Sequence, residues 1–153
     1  MNNIIKQVTF YLLQNNKIIN KLNTYEALAC DIASKYWRSG KRSLIICNNE
    51  KQAYKLDEGL WKYKPYTFIP HNLLGKGPKK GAPIEISWSN KISNNPYDVL
   101  IVLKLHFINY FSNFNKIIDF VPYEDILIKL ARDRYIAYRN IGFHLVTKIP
   151  KYY

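Results

Sequence analysis

Short apolar runs alternate along this chain with longer segments in which apolar residues recur every three or four positions. The runs "RSLIIC" (42–47) and "DVLIVL" (98–103) are continuous, which is typical of strands buried on both faces of a parallel sheet. Four further runs are rich in β-branched and aromatic residues and also predict strands. These are "QVTFYLL", "IEISW", "KIIDFV" and "FHLVT", at residues 7–13, 84–88, 116–121 and 143–147.

Helices are predicted between these strands from their start and stop signals. Asn23 is followed three residues later by Glu26, and Asn49 is followed in the same way by Gln52. Each pair predicts a capping box, in which the two residues satisfy backbone N–H groups at the start of a helix. Glycine is the typical stop signal. The predicted helices cover residues 24–39, 49–61 and 123–141, and the first and third end at Gly40 and Gly142.

Strands that alternate with helices predict an α/β fold with a mostly parallel sheet and helices on both faces. The segment "HFINYFSNFN" (106–115) has two interpretations, a short helix packed on the sheet or an aromatic loop. Residues 62–83 are predicted to be mostly loop, and "SNKISNNPY" (89–97) is predicted to be a polar linker. No internal repeat or domain boundary is apparent, so residues 1–153 are predicted to form one domain.

Composition narrows the functional classes. The chain has 153 residues, of which 48% are hydrophobic, enough for a real core. No apolar run approaches the roughly 20 residues of a membrane span, and no secretory signal pattern is present. Cys30 and Cys47 are isolated, which argues against a disulfide framework or a zinc cluster. We therefore expect a cytoplasmic protein without membrane contact.

The net charge of +12 is the strongest compositional signal. A basic protein binds nucleic acid, a membrane surface or an acidic peptide. The alternative is that A/T-rich codons, which encode Lys, Asn, Ile and Tyr, produce the same excess without selection for a ligand.

The stretch "GKGPKKG" (75–81) raises the question of phosphate binding. Its glycines and lysines do not fit the spacing of a nucleotide-triphosphate loop or of a dinucleotide-binding turn, and a strand rather than a helix follows. We therefore predict a solvated, mobile, hairpin-like loop. His71, His106 and His144 are scattered, so no metal site, catalytic triad or cofactor is predicted.

The third helix carries two arcs on a helical wheel. One is a core stripe of Leu127, Leu130, Ala131, Ala137, Tyr138 and Ile141, with Arg134 in its middle. An arginine there needs an acidic partner or a route to solvent. The other arc holds Ile128, Arg132, Tyr135, Ile136 and Arg139. Arginine and tyrosine are enriched at binding hot spots, so this arc predicts a binding surface with exposed isoleucines. The alternative is a helix that passes under another loop of the same chain.

A weaker indication comes from the second helix. Tyr54 and Trp61 lie at the edge of its buried stripe, and Phe68 and Pro70 follow in the next loop. These aromatic residues predict an apolar docking patch. An equally good interpretation is that they cap the hydrophobic core.

Several long collinear segments resemble one family, the chi subunit of bacterial DNA polymerase III holoenzyme. They are "TFYLL", "WRSGKR", "EKQAYKLDEGLW", "FIPHNLLGKGPKKGAPIEISW", "DFVPYED" and "LARDRYIAYRNIGF", and together they extend over about residues 8–146. The resemblance implies a three-layer α/β/α domain and a non-catalytic accessory subunit of the clamp loader complex. It also implies two partners, the psi subunit and the acidic C-terminal tail of single-stranded DNA-binding protein. A repair helicase is a further candidate for the psi-facing surface.

The resemblance also implies roles for individual residues. Arg132, Tyr135 and Val121 match the tail-binding surface, and Trp61 and Phe68 match the psi-facing surface. The wheel adds Arg139 to the first set, and the sequence adds Pro70 to the second. Ile128 and Ile136 stand where the best-known members carry lysines. Losing these two cations should weaken long-range attraction to an acidic tail, while contact affinity survives.

Two other classes remain as alternatives. Direct nucleic-acid binding predicts lysines and arginines clustered with stacking aromatics on one face, whereas the basic residues here are spread along the chain. A small α/β enzyme predicts polar groups that converge at the carboxyl ends of the strands. No persuasive set of such groups is found in the sequence.

Overall fold

The structure is a computed structural model that describes residues 4–63, 68–78, 80–88 and 93–153. Lys79 and the first part of the predicted linker, residues 89–92, lie outside the described residues. Seven described strands belong to one sheet: β1 (Gln7–Leu12), β4 (Ser43–Cys47), β5 (His71–Leu73), β6 (Ile84–Trp88), β7 (Val99–Val102), β8 (Lys116–Val121) and β9 (His144–Lys148). Two short strands, β2 (Ile18–Ile19) and β3 (Leu22–Asn23), pair with each other.

The sheet has the strand order β5-β6-β4-β7-β8-β1-β9, and every neighbouring pair is parallel. Its central strands are buried along their whole length, which explains their continuous apolar sequences. The helices are α1 (Thr24–Arg38), α2 (Glu50–Trp61) and α3 (Asp125–Asn140), with a 3-10 helix at Asn109–Asn113. The predicted helices and parallel strands are thus confirmed, and the segment 106–115 is the short helix packed on the sheet.

Helices cover both faces of the sheet and make three layers. On one face, Leu28 of α1 and Leu56 of α2 pack in the same core as Ile45 and Ile101 of the central strands. On the other face, Phe111 of the 3-10 helix and Tyr138 of α3 pack against Leu44, Ile46 and Leu100. The three-layer α/β/α arrangement is therefore confirmed. Among the described residues, none of the helices is long and apolar enough to cross a bilayer.

The two predicted capping boxes have different outcomes. At α1, Asn23 Oδ1 accepts from Glu26 N at 2.9 Å, and Glu26 Oε1 accepts from Asn23 N at 3.0 Å, as predicted. At α2, Asn49 Oδ1 accepts from Gln52 N at 2.8 Å, but Gln52 Oε1 accepts from Asn48 N instead of Asn49 N. The Gln52 amide also donates to Glu26 Oε2 at 3.0 Å, so the starts of the two helices are joined.

Two short elements were not predicted. Between β2 and β3, Asn20 and Lys21 have positive φ values of 50° and 67°, as a tight hairpin turn requires at both central positions. Strand β5 lies inside the segment predicted to be loop. It is only three residues long, so its alternation pattern is too short to distinguish it from a loop.

The prediction of a hairpin-like loop at 75–81 is wrong. Strands β5 and β6 are parallel, so the connection is a crossover. Gly75 and Gly81 have φ values of +88° and +76°, which other residues rarely adopt. A Cβ at Gly77 would collide with the side chain of Asn72, whose Oδ1 accepts from Ala82 N at 2.9 Å. The glycines are therefore accounted for by the tight path of the crossover.

Candidate partner-binding surfaces

A buried ion pair holds α3 on the sheet. The carboxylate of Asp119 in β8 accepts from Arg134 Nε at 3.1 Å and from Arg134 Nη2 at 3.0 Å. Tyr138 Oη donates to the same carboxylate at 2.8 Å. Asp119 is fully buried and Arg134 is 4% exposed. Asp119 is thus the acidic partner that an arginine in the core stripe requires.

Two further guanidinium protons donate to backbone carbonyls. Arg134 Nη1 donates to the carbonyl of Leu105 at 2.7 Å, and Nη2 donates to the carbonyl of Phe120 at 3.0 Å. Burial alone would lower the pKa of Arg134, but the charge of Asp119 and its hydrogen bonds outweigh burial and raise it. Burial, followed by the charge of Asp119, raises the pKa of Tyr138 well above its usual value. The arginine therefore stays charged and the tyrosine stays protonated.

Five of the residues predicted to bind a partner lie on α3, and the sixth, Val121, ends strand β8. Together they are called here the α3 patch: Val121, Ile128, Arg132, Tyr135, Ile136 and Arg139. Arg132 and Arg139 are exposed, and neither has an ion-pair partner among the described residues. No described loop buries these two arginines, so the structure does not support the alternative of a helix hidden beneath another segment. Tyr135 is half-buried, with its ring centroid 5.6 Å from that of Phe10.

Two burial predictions for α3 are wrong. Ile128 is half-buried rather than exposed, whereas Ile136 is 40% exposed as expected. Ile141, assigned to the core stripe, is 46% exposed. The fully buried positions of α3 are Ala131, Arg134 and Tyr138. The stripe is narrower than the wheel suggests because α3 lies over the β8–β1–β9 side of the sheet rather than its centre.

Trp61, Phe68 and Pro70 form a second surface, here called the aromatic patch. Trp61 is 57% exposed and Phe68 is 64% exposed, and their ring centroids are 5.6 Å apart. Two aromatic side chains that are mostly exposed do not cap a core, so the structure favours the docking interpretation. Tyr54 lies apart from them, because its ring packs against Trp88 and its hydroxyl accepts from Lys76 Nζ at 3.0 Å.

His71 supports the aromatic patch, and its role was not predicted. Its ring centroid is 4.9 Å from that of Trp61 in an edge-on arrangement. Nδ1 lies 2.6 Å from the carbonyl of Ile69, and Nε2 lies 3.2 Å from the carbonyl of Asp57 in α2. The imidazole side chain is fully buried. His71 thus links β5 to α2 beneath Trp61, a long-range contact for which the sequence contains no signal.

The described residues contain no group of three histidine, cysteine or acidic side chains arranged to hold a metal. Cys30 and Cys47 are both buried. Burial raises the pKa of each thiol, so neither is a ready nucleophile. The surfaces predicted from the sequence are thus the α3 patch and the aromatic patch. The first lies on α3 at the β1–β9 side of the sheet, and the second lies on the opposite face near β5.

The architecture defines a class, the α/β/α proteins built on a parallel sheet. A solved structure of this class, the crystal structure of T4 UvsW, resembles the chain with a TM-score of 0.64 and 11% sequence identity. The likeness covers 95% of this chain but only 41% of the UvsW chain, and it shows the fold alone.

The sequence comparisons identify a family within this structural class. A sequence model of the DNA polymerase III chi subunit, HolC, matches residues 5–146. The chain is 52% identical to DNA polymerase III subunit chi of Escherichia coli K12 over 94% of its length and 97% of the relative. It is 42% identical to the Haemophilus influenzae chi subunit over 94% of this chain and 96% of the relative. The protein belongs to the chi subunit family of DNA polymerase III, which confirms the resemblance.

A more distant relative extends the comparison. The chi subunit of Pseudomonas aeruginosa PAO1 is 30% identical over 91% of this chain and 93% of its own length. The protein is thus a chi-type subunit of the replicative DNA polymerase, and near-complete coverage of the relatives means that the whole fold is shared.

Proposed function

We propose that this protein is a non-catalytic connector of the DNA polymerase III clamp loader complex in the cytoplasm. In this proposal the aromatic patch binds the psi subunit, which links the protein to the clamp loader. The α3 patch binds the acidic C-terminal tail of single-stranded DNA-binding protein. The two patches lie on opposite faces of the sheet, which supports the proposal that both partners bind at once. A repair helicase is a candidate competitor of psi for the aromatic patch.

The main support for assigning the tail to the α3 patch is that two arginines of α3 are exposed and unpaired among the described residues. Arg132 and Arg139 are exposed and have no ion-pair partner among the described residues, and they flank Tyr135 on one arc. A guanidinium without a partner is available to a carboxylate of an incoming peptide. Tyr135 and Val121, both half-buried, provide apolar contact beside it. The buried pair beneath fixes the helix, so little ordering is needed on binding.

Replacing Arg132 by alanine should weaken binding of a synthetic acidic tail peptide by about tenfold or more. Hydrogen bonds to charged groups contribute roughly 1.5 to 3 kcal/mol, and 1.4 kcal/mol corresponds to a factor of about ten. Arg38→Ala is the matched control, because Arg38 is an exposed arginine at the end of α1, on the opposite face of the sheet. Fluorescence anisotropy of the labelled peptide measures the affinities of wild type, Arg132→Ala and the control variant.

A second variant tests the charges at the rim of the α3 patch. Placing lysine at both Ile128 and Ile136 should speed association at low salt and steepen the salt dependence, because rim charges act mainly through long-range attraction. Stopped-flow association rates across a salt series give this result. Equal peptide affinity for wild type, Arg132→Ala and the double-lysine protein would place the tail elsewhere.

The pure protein should show no nucleotide hydrolysis or nuclease activity above background. The glycines of the 75–81 crossover are accounted for by backbone geometry, and no metal group is found in the described part of the chain. Phosphate release from ATP and cleavage of labelled DNA are the measurements, with a Lys76→Ala/Lys80→Ala protein as comparison. Turnover that this double substitution removes would contradict the proposal and assign chemistry to the loop.

A further inference from the structure

A third surface lies on the α1 side of the sheet at its β1–β9 edge. It is defined by Tyr11, Tyr36, Lys116, Lys148 and Lys151, and is called here the edge platform. Tyr11 and Tyr36 are half-buried, and the three lysines are exposed. In the sheet, Tyr11 of β1 stands beside Lys148 of β9. The fold thus brings together basic and aromatic residues that are far apart in the sequence.

The platform borders a groove of about 590 Å³ between α1 and residues 150–153. Its lining is largely aromatic and aliphatic, from Tyr11 and Tyr36 together with Ile32 and Leu28. Residues 150–153 form one wall of the groove and are anchored by a hydrogen bond from Gln14 N to the carbonyl of Tyr153 at 2.7 Å. Residues 147–153 follow the part of the chain that the chi family model matches, so this wall lies outside the matched residues.

One of the three lysines lies over an aromatic ring of the edge platform. Lys116 Nζ lies 5.2 Å from the centroid of the Tyr36 ring. Burial raises the pKa of Tyr11, and the charges of Lys35 and Lys116 act in the opposite direction. Lys116, Lys148 and Lys151 have no ion-pair partner among the described residues.

The acidic residue in the groove is already satisfied. Asp31 pairs with Lys35 at 3.2 Å and accepts a hydrogen bond from the hydroxyl of Tyr63. Lys35 is therefore neutralised locally, whereas the three lysines of the edge platform carry a net positive charge. A surface of this kind is complementary to a polyanion.

We propose that the edge platform binds single-stranded nucleic acid, with bases against Tyr36 and Tyr11 and phosphates against Lys116, Lys148 and Lys151. Lysines interleaved with aromatic rings are the arrangement that holds single strands, because every base offers a π-face and every nucleotide a charge. An acidic peptide is better served by arginine forks, such as those of the α3 patch. The edge platform lies on the sheet face opposite α3, so a chain that holds a protein tail there remains free to touch DNA.

The test is fluorescence anisotropy of a labelled oligothymidylate of about 20 nucleotides with the isolated full chain, across a salt series. Lys148→Glu/Lys151→Glu should weaken binding about tenfold or more and reduce the slope of log affinity against log salt by about 1.4, since each phosphate contact to a single strand contributes about 0.7. Tyr36→Ala should weaken binding at least about fivefold through lost stacking.

Matched controls distinguish an effect of the edge platform itself from an effect of the protein's overall net charge. Lys51→Glu/Lys80→Glu makes the same change in net charge at exposed positions elsewhere, and should alter affinity by less than about twofold because of screening. Tyr123→Ala removes an exposed tyrosine outside the platform and should have no effect. Thermal melts verify that each protein is folded.

The outcomes are distinct. Weakening by the platform substitutions alone supports the proposal. No binding by wild type, or equal weakening by both lysine pairs, overturns it. A poly-glutamate peptide that binds as tightly as the oligonucleotide and ignores Tyr36→Ala would also overturn it, and would make the surface a dock for acidic proteins. None of these results depends on psi or on single-stranded DNA-binding protein, so they leave the proposed connector role untouched.

Discussion

Replacing Asp119 by alanine is expected to lower the free energy of unfolding by about 3 to 5 kcal/mol. The substitution leaves Arg134 charged and 4% exposed, with no acid to balance it. It also removes the acceptor of the Tyr138 hydroxyl, which is fully buried. A buried charge without a partner costs far more than the loss of one ordinary hydrogen bond. Urea denaturation followed by circular dichroism measures the change.

Two further variants separate the ion pair from its surroundings. Tyr138→Phe keeps the ring and the pair and removes only one hydrogen bond to Asp119, so we expect a loss of about 0.5 to 1.5 kcal/mol. Asp119→Ala/Arg134→Met should lose less than the sum of its two single changes, because no unpaired charge remains. A loss below about 1 kcal/mol for Asp119→Ala would mean that water reaches Arg134 when Asp119 is absent.

The same pair links stability to the proposed binding surface. Val121 follows Asp119 by two residues in β8, and Arg132 and Tyr135 flank Arg134 in α3. The side chains of the α3 patch therefore stand on the two elements that the ion pair joins. Because the ion pair fixes α3 on β8, the proposed tail-binding surface is pre-organised, which lowers the entropic cost of binding.

The features that the sequence predicts correctly depend on local signals. Continuous apolar runs identify the buried central strands, since a parallel sheet covered on both faces needs no polar alternation. Asn23 with Glu26 marks the start of α1 because both partners of the capping box lie within one turn. The parallel α/β class follows from the alternation of such segments.

The features that were missed depend on contacts between distant segments. Nothing near Arg134 indicates that its partner lies fifteen positions earlier in β8. His71 shows no motif, yet it joins β5 to α2 beneath Trp61. The shifted cap of Gln52 arises because its amide is drawn to Glu26, which belongs to the preceding helix. Such pairings are set by the tertiary fold, which local propensity does not encode.

The clustering of charge at the edge platform also could not be predicted from the sequence. In the sequence the lysines are spread along the chain, which argues against a nucleic-acid surface. The fold gathers Lys116 from β8, Lys148 from β9 and Lys151 from the following segment around tyrosines of β1 and α1. Strand order, rather than spacing, decides which of these charges become neighbours.

Trp61→Ala and Phe68→Ala are each expected to weaken binding of the psi subunit by about 2 kcal/mol or more, a factor of roughly thirty. Both rings are more than half exposed in the free protein and lie 5.6 Å apart, so a partner that covers them removes a large apolar area from water. The double substitution should cost less than the sum, because each ring forms part of the surface against which the other packs. Isothermal titration calorimetry with purified psi gives the affinities.

Tyr54→Ala is the matched control for these changes, since Tyr54 is a 42% exposed aromatic residue of the same helix whose ring lies against Trp88 rather than Trp61. It should bind psi normally, and so should Arg132→Ala, which alters only the α3 patch on the opposite face. Thermal melts should change little for Trp61→Ala and Phe68→Ala, because neither side chain is part of the core. If both proteins fold normally and bind psi as wild type does, psi docks elsewhere and the exposed pair of rings belongs to another partner.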